Sequence, residues 1–162
     1  MFFKIFFIIL LIILDFFSKK LVFNSIGLNS FIYVTSFFDL AHIHNYGISF
    51  GLFSGLISHW LFVIIGLLVI IFLISIYFKA RNNIEKWGIL VIIAGGLSNI
   101  FDRSINGYVI DFLYFHYNDF YWPAFNFADI YISIGILIIL YQILKDFNKR
   151  NKDRLIIFFI LF

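Results

Sequence analysis

Four stretches of the chain are almost wholly apolar, and their lengths bear comparison with the roughly 20 residues needed to cross a ~30 Å hydrocarbon core. They cover residues 5–23, 61–78, 87–101 and 127–144. The first carries Asp15, Ser18, Lys19 and Lys20 in its second half, and the second has no charge and follows Trp60, a residue type favoured at membrane interfaces. The third is short and contains Gly95-Gly96, and the fourth has Asp129 near its start. Between the first two, residues 32–55 alternate apolar positions with Thr, Ser, His and Gly, which predicts strand pieces joined by turns. Residues 155–162 are apolar but too short to span. Lys4 ahead of the first apolar run also suits a cleaved leader, but no small-x-small site follows it, so the run is read as a span.

Composition agrees with this pattern. Of 162 residues, 63% are hydrophobic and 13% charged, and the mean hydropathy is +1.02. A soluble domain of ~150 residues buries only about 70% of its unfolded surface and cannot hide so much apolar area. The same richness excludes disorder. The absence of Cys removes disulfides, thiolate metal sites and Cys nucleophiles. The expectation is one integral membrane domain over residues 1–154, mostly helical with four transmembrane helices and a small β element, followed by the apolar tail at 155–162.

Charge orients it. Nine of the twelve cationic residues (Lys4, Lys79, Arg81, Lys86, Lys145, Lys149, Arg150, Lys152 and Arg154) fall on one side if the spans alternate. The positive-inside rule then places both termini in the cytoplasm and turns the longer connections, 24–60 and 102–126, outward.

Ionisable groups within or beside a span are costly, and they are functional candidates by default. Asp15, Asp102, Arg103, Asp111 and Asp129 all fall at the outer ends of the spans. Four carboxylates with one nearby Arg cannot all ionise, so at least one keeps its proton near neutral pH, as acid–base chemistry by a carboxylate pair requires. Asp111 has apolar neighbours on both sides, which favours its neutral form. Asp129 lies three residues after Asn126, so a plain capping box in a first helical turn explains it as well as catalysis does. The two readings are compatible, with Asp129 as general base on water and Asp111 as general acid. Asn99 and Asp102 share a helix face, and the simpler reading of Asp102 is an ion pair with the adjacent Arg103. Arg103 also suits a substrate carbonyl. Asn45, followed by Gly47, offers amide donors and an acceptor to a peptide backbone, or is a turn residue. Asp15 and Lys19 are spaced for an ordinary i,i+4 ion pair. His42 and His44 point to one face of a strand, but no His-Glu-x-x-His motif exists, and no metal or cofactor is expected.

Five blocks then stand in order: Asp15-x-x-Ser18-Lys19; Asn45-x-Gly47-x-x-Phe50; Gly95-Gly96-x-x-Asn99-x-x-Asp102-Arg103; Gly107-Tyr108-Val109-Ile110-Asp111-Phe112; and Pro123-Ala124-Phe125-Asn126-x-Ala128-Asp129. Together they resemble the lipoprotein signal peptidases, the type II signal peptidases of bacteria. The resemblance implies four transmembrane helices with cytoplasmic termini in the inner membrane, an extracytoplasmic β-cradle and a short interfacial helix. It implies an aspartic endopeptidase using Asp111 and Asp129, with Asn45, Gly47, Asn99, Asp102, Arg103 and Asn126 shaping or lining the site. The implied substrate is a diacylglyceryl-modified prolipoprotein held among membrane lipids and cut just before the modified Cys. Inhibition by the cyclic peptide globomycin belongs to the same expectation, and nucleic acid has no part in it. Departures from the pattern are Ser98 for Gly, Ile130 for Ser, Ile48-Ser49 for a pair of small residues and Ser18 for Thr. Ile48 and Ile130 are expected to narrow the site. The rival readings are a proton or cation pathway, which would spread carboxylates over several depths, and a non-catalytic membrane scaffold.

Overall fold

The computed structural model describes residues 2–47, 57–80 and 82–161, with side chains as far as residue 149. Among the described residues stand four helices: α1 (Phe2–Ser25), α2 (His59–Lys79), α3 (Asn83–Asn106) and α4 (Phe127–Leu161). Four strands, β1 (Phe31–Thr35), β2 (Phe38–Asn45), β3 (Val109–Tyr117) and β4 (Phe120–Tyr121), form one antiparallel sheet in the order β1-β2-β3-β4.

The helix ends follow from local chemistry. Ser58 caps α2 by accepting from the Trp60 N–H, and Asn82 caps α3 by accepting from the Glu85 N–H at 2.8 Å. Gly107 ends α3 in the left-handed conformation, φ 80°, with its N–H on the Arg103 carbonyl. These caps explain why α3 extends well beyond the expected 87–101. Its polar last turns stay helical because their side chains find partners inside the protein.

The apolar surface is turned outward. On α2 only Phe62, Val63 and Ile70 are buried, while Ile64, Leu68, Ile71 and Phe72 are exposed. A stripe this apolar on the outside is stable against lipid rather than water. Helices α2, α3 and α4 through Lys149 are each long and apolar enough to cross a membrane. Helix α1 has 24 residues, about 36 Å at 1.5 Å per residue, but Asp15, Lys19 and Lys20 interrupt its apolar run. Helix α4 continues past residue 144 without a break, so residues 155–161 prolong it.

The most buried helix is α3, and glycines bring it against α4. A Cβ at Gly95 would collide with the Ala128 carbonyl oxygen, and one at Gly135 would lie 2.6 Å from the Gly88 oxygen. Without a hydrophobic force between helices in lipid, such close backbone approach is what joins them. Gly95→Ala is therefore expected to lower the unfolding midpoint in detergent, by a loss of about 1–3 kcal/mol from overpacking. An unchanged midpoint would show that the Ala128 backbone can move away.

The sheet sits on the end of this bundle. Val22 of α1 and Ile26 just beyond its end pack with Ile110 and Phe112 of β3, and Leu40, Tyr108, Leu113 and Phe127 lie against them. In the β2–β3 ladder Ile43 stands opposite Asp111 and Asn45 opposite Val109, after a register shift between Leu40 and Ile43. Strand β3 was not foreseen as a strand. Its first four residues are all buried, so it lacks the half-polar alternation that marks a one-sided strand. No short interfacial helix stands among the described residues. Ile48, Ser49 and Phe50 of the second sequence block lie outside them.

Candidate active site

Three asparagines converge on two carboxylates where the sheet meets the helix ends. Asp111 projects from β3, with Asn45 Nδ2 donating to Oδ2 at 2.9 Å and Asn126 Nδ2 to Oδ1 at 2.7 Å. Asp129 lies in the first turn of α4, where Asn99 Nδ2 donates to its Oδ1 at 2.9 Å. Asn126 and Asp129 also form a reciprocal capping box. The Asp129 N–H donates to Asn126 Oδ1 at 3.1 Å, and the Asn126 N–H to Asp129 Oδ2 at 3.2 Å. Capping and a place in the cluster are thus two properties of one residue. Asn126 is fully buried and bridges the two acids.

The two carboxylates line a single cavity of about 430 Å³ together with Asn45, Asn99, Arg103 and Asn126. Gly47 and Asp102 are behind the wall. Gly47 donates its N–H to Asn45 Oδ1 at 3.0 Å, and its carbonyl accepts from Arg103 at 2.7 Å. Arg103 also donates to the Asn99 carbonyl at 3.3 Å.

Asp102 does not pair with Arg103 as the sequence suggested. Consecutive residues on a helix point in different directions, so Arg103 turns to Gly47 and Asp102 to Lys19 of α1. Lys19 Nζ lies 2.6 Å from Asp102 Oδ2 and 2.7 Å from Asp15 Oδ2. It also donates to Asn99 Oδ1 at 3.0 Å. The other oxygen of Asp15 accepts the Ala128 N–H at 2.8 Å, tying α1 to the start of α4. Asp15 and Lys19 are therefore more than a local i,i+4 pair. They are 1% and 2% exposed, and they stand directly behind the cavity.

Burial, then the neighbouring Asp129 charge, push the Asp111 carboxyl up to about 7, against the hydrogen bonds from Asn45 and Asn126, which favour the carboxylate. An acid poised there is half protonated near neutral pH. Among the described residues no cluster of three or more His, Cys, Asp or Glu has metal-binding geometry. His42 and His44 share one strand face, and their Nε2 atoms are 3.0 Å apart. The Ile26 carbonyl can only accept, so His42 carries its proton on Nδ1. Neither ring lines the cavity.

The remaining walls are apolar. Trp122 and Phe125 close one side, and Ile130, Ile134 and Leu137 descend along α4. Ile130 is thus in the wall, as its departure from the family pattern suggested. Sequence reasoning missed the others. The i, i+4, i+7 spacing of the α4 residues was the available signal, but it is shared by every apolar helix face.

The fold and the cavity define an integral membrane protein, with carboxylates and amides gathered at one end of an apolar helical bundle. The profile of the family described as Signal peptidase (SPase) II matches residues 7–145. The chain is 42% identical over 139 residues to the lipoprotein signal peptidase of Thermodesulfovibrio yellowstonii, covering 85% of this chain and 92% of the relative. It is 36% identical over 149 residues to that of Francisella tularensis subsp. novicida, covering 89% and 91%. A bacterial membrane enzyme solved by the in meso method at 2.3 Å superposes with a TM-score of 0.83 at 27% identity, covering 90% of each chain. The chain belongs to the signal peptidase II family and is a membrane protease.

Proposed function

We propose that this protease is an aspartic endopeptidase that removes signal peptides from diacylglyceryl-modified prolipoproteins, cutting just before the modified Cys. The observation that carries the reading is the pair Asp111 and Asp129 on one cavity, each carboxylate held by asparagine amides. Asp129, ionised, takes a proton from water as the oxygen attacks the scissile carbonyl carbon. Asp111, protonated, gives its proton to the carbonyl oxygen. On collapse the proton on Asp129 passes to the leaving nitrogen, and Asp111 recovers one from the tetrahedral intermediate. Arg103 and Asn45 are the donors nearest a bound backbone, which in an apolar setting has little water to satisfy it. No cofactor enters this scheme.

Placement supports the substrate class. A segment tethered by two acyl chains, at ~0.8 kcal/mol per buried methylene, stays in the bilayer and presents its scissile bond at the interface. Apolar α4 residues and Trp122 line the cavity, and exposed Tyr117, Phe120 and Tyr121 of the sheet, with Trp122 just after it, suit lipid headgroup depth. In this reading α1 is the fourth span, its charges neutralised inside the protein, with both termini cytoplasmic and the sheet outside the bacterial inner membrane.

The test is cleavage of a diacylglyceryl-modified prolipoprotein by the purified protein. Mass spectrometry should find the modified Cys at the new N-terminus, and globomycin should inhibit. A cut elsewhere, or equal cleavage of the unmodified precursor, overturns the reading. The pH dependence is a second check. With Asp111 as general acid poised at about 7, kcat/KM falls as pH rises through that region. The Asn45 hydrogen bond lowers this value, so Asn45→Ala moves the falling limb to higher pH. A limb that moved down would assign it to another group.

A further inference from the structure

We propose that Lys19 is a positioning residue for the reaction, fixing through Asn99 which end of an amide faces Asp129; this rests on the role given to Asp129 above. An asparagine amide is nearly symmetric in shape, so only its partners decide where its oxygen and nitrogen lie. All three asparagines of the site have the same arrangement: a donor on Oδ1, and Nδ2 turned to a carboxylate. For Asn45 the donor is the Gly47 N–H, 3.0 Å away, and for Asn126 it is the Asp129 N–H, 3.1 Å away. Both are backbone groups and remain whatever the side chains are. For Asn99 the donor is the Lys19 ammonium at 3.0 Å.

An ammonium has donors only, so it accepts no alternative to Oδ1 on the Asn99 side that faces it. Nδ2 is thereby sent to Asp129 Oδ1, 2.9 Å away. With an apolar side chain at position 19 Oδ1 loses its donor and Asp129 alone holds the amide, so reversal becomes accessible. Its oxygen then faces the Asp129 carboxylate, a repulsion relieved only when Asp129 is protonated and no longer a base. Lys19 is itself held in place, between Asp15 Oδ2 at 2.7 Å and Asp102 Oδ2 at 2.6 Å. The buried ion cluster and the cavity are thus joined through one amide.

A kinetic double-mutant cycle tests this, with Lys19→Met and Asn99→Ala alone and combined in purified, reconstituted protein. Lys19→Met is expected to lower kcat by about tenfold to 100-fold with KM within about twofold. The combined variant is expected to match Asn99→Ala alone within about twofold, because Lys19 acts through Asn99. Losses that multiply, or a loss carried by KM, overturn the proposal. If Lys19→Met does not fold, the charge-compensated pair Lys19→Met/Asp102→Asn replaces it, measured against Asp102→Asn with and without Asn99→Ala, and the same two outcomes decide. Asp129→Asn run in parallel separates the two levels. Undiminished cleavage there overturns the role of Asp129 and this proposal with it, whereas an inactive Asp129→Asn with multiplying losses overturns only the role of Lys19.

Discussion

Asp129→Asn and Asp111→Asn are each expected to reduce cleavage of a lipid-modified prolipoprotein by about three orders of magnitude or more, with both variants still folding and inserting. Positioned acid–base groups typically contribute 10²–10⁴-fold, and in the proposed reaction each residue acts in both halves. The amide replacements keep size and most hydrogen bonds. Asn at 111 still accepts from one of Asn45 and Asn126, and Asn at 129 still accepts from the Asn126 N–H in the capping box. Stability should therefore change far less than rate. Removing a carboxyl that burial already holds near its neutral form even relieves a desolvation cost at Asp111. Activity is measured as initial rate on purified protein, and folding as the thermal midpoint in the same detergent. Because the acids work as a unit, the double variant should be scarcely worse than either single one. Cleavage retained by both variants would leave the cluster a structural one.

How far the sequence carried this reading depends on which physical signal each part uses. The apolar runs of α2 and α4 were plain in hydropathy because lipid-facing helices need no alternation. The full extent of α3 was not plain, since Asp102 and Arg103 look like an exit from the membrane until their partners inside the protein are known. Strand β3 was missed because Val109 to Phe112 is buried on both faces. The candidate residues themselves were legible as charges and amides out of place in apolar surroundings. Their pairing was not. Choosing Lys19 over Arg103 as the partner of Asp102 needs the packing of α1 on α3, and the orientation of three amides needs all their neighbours at once.

The largest stability effect is expected at Asp15, which lies behind the cavity and touches neither water nor substrate in the proposed reaction. Asp15→Ala removes two contacts together: the ion pair with Lys19 at 2.7 Å and the acceptor for the Ala128 N–H at 2.8 Å. Lys19 keeps Asp102 and Asn99, but the Ala128 N–H, in the first turn of α4, is left buried with nothing to accept it. Breaking a buried ion pair from one side costs about 3–5 kcal/mol when the remaining charge is left alone; Lys19 keeps Asp102, so the loss here is smaller, and the orphaned buried N–H adds about 1–3. That is a substantial part of a typical margin of about 5–15 kcal/mol. Asp15→Asn should cost less, because its amide oxygen still accepts from Ala128 while its charge is lost. The expected order of thermal midpoints in detergent is wild type, then Asp15→Asn, then Asp15→Ala. Activity per folded molecule should fall less than yield does, since Asp15 reaches the site only indirectly, through the seating of α4 and through its share in holding Lys19, which Asp102 also holds. If Asp15→Ala instead unfolds like the wild type, α1 is held to the bundle by its apolar contacts alone, and the buried charges contribute orientation rather than stability.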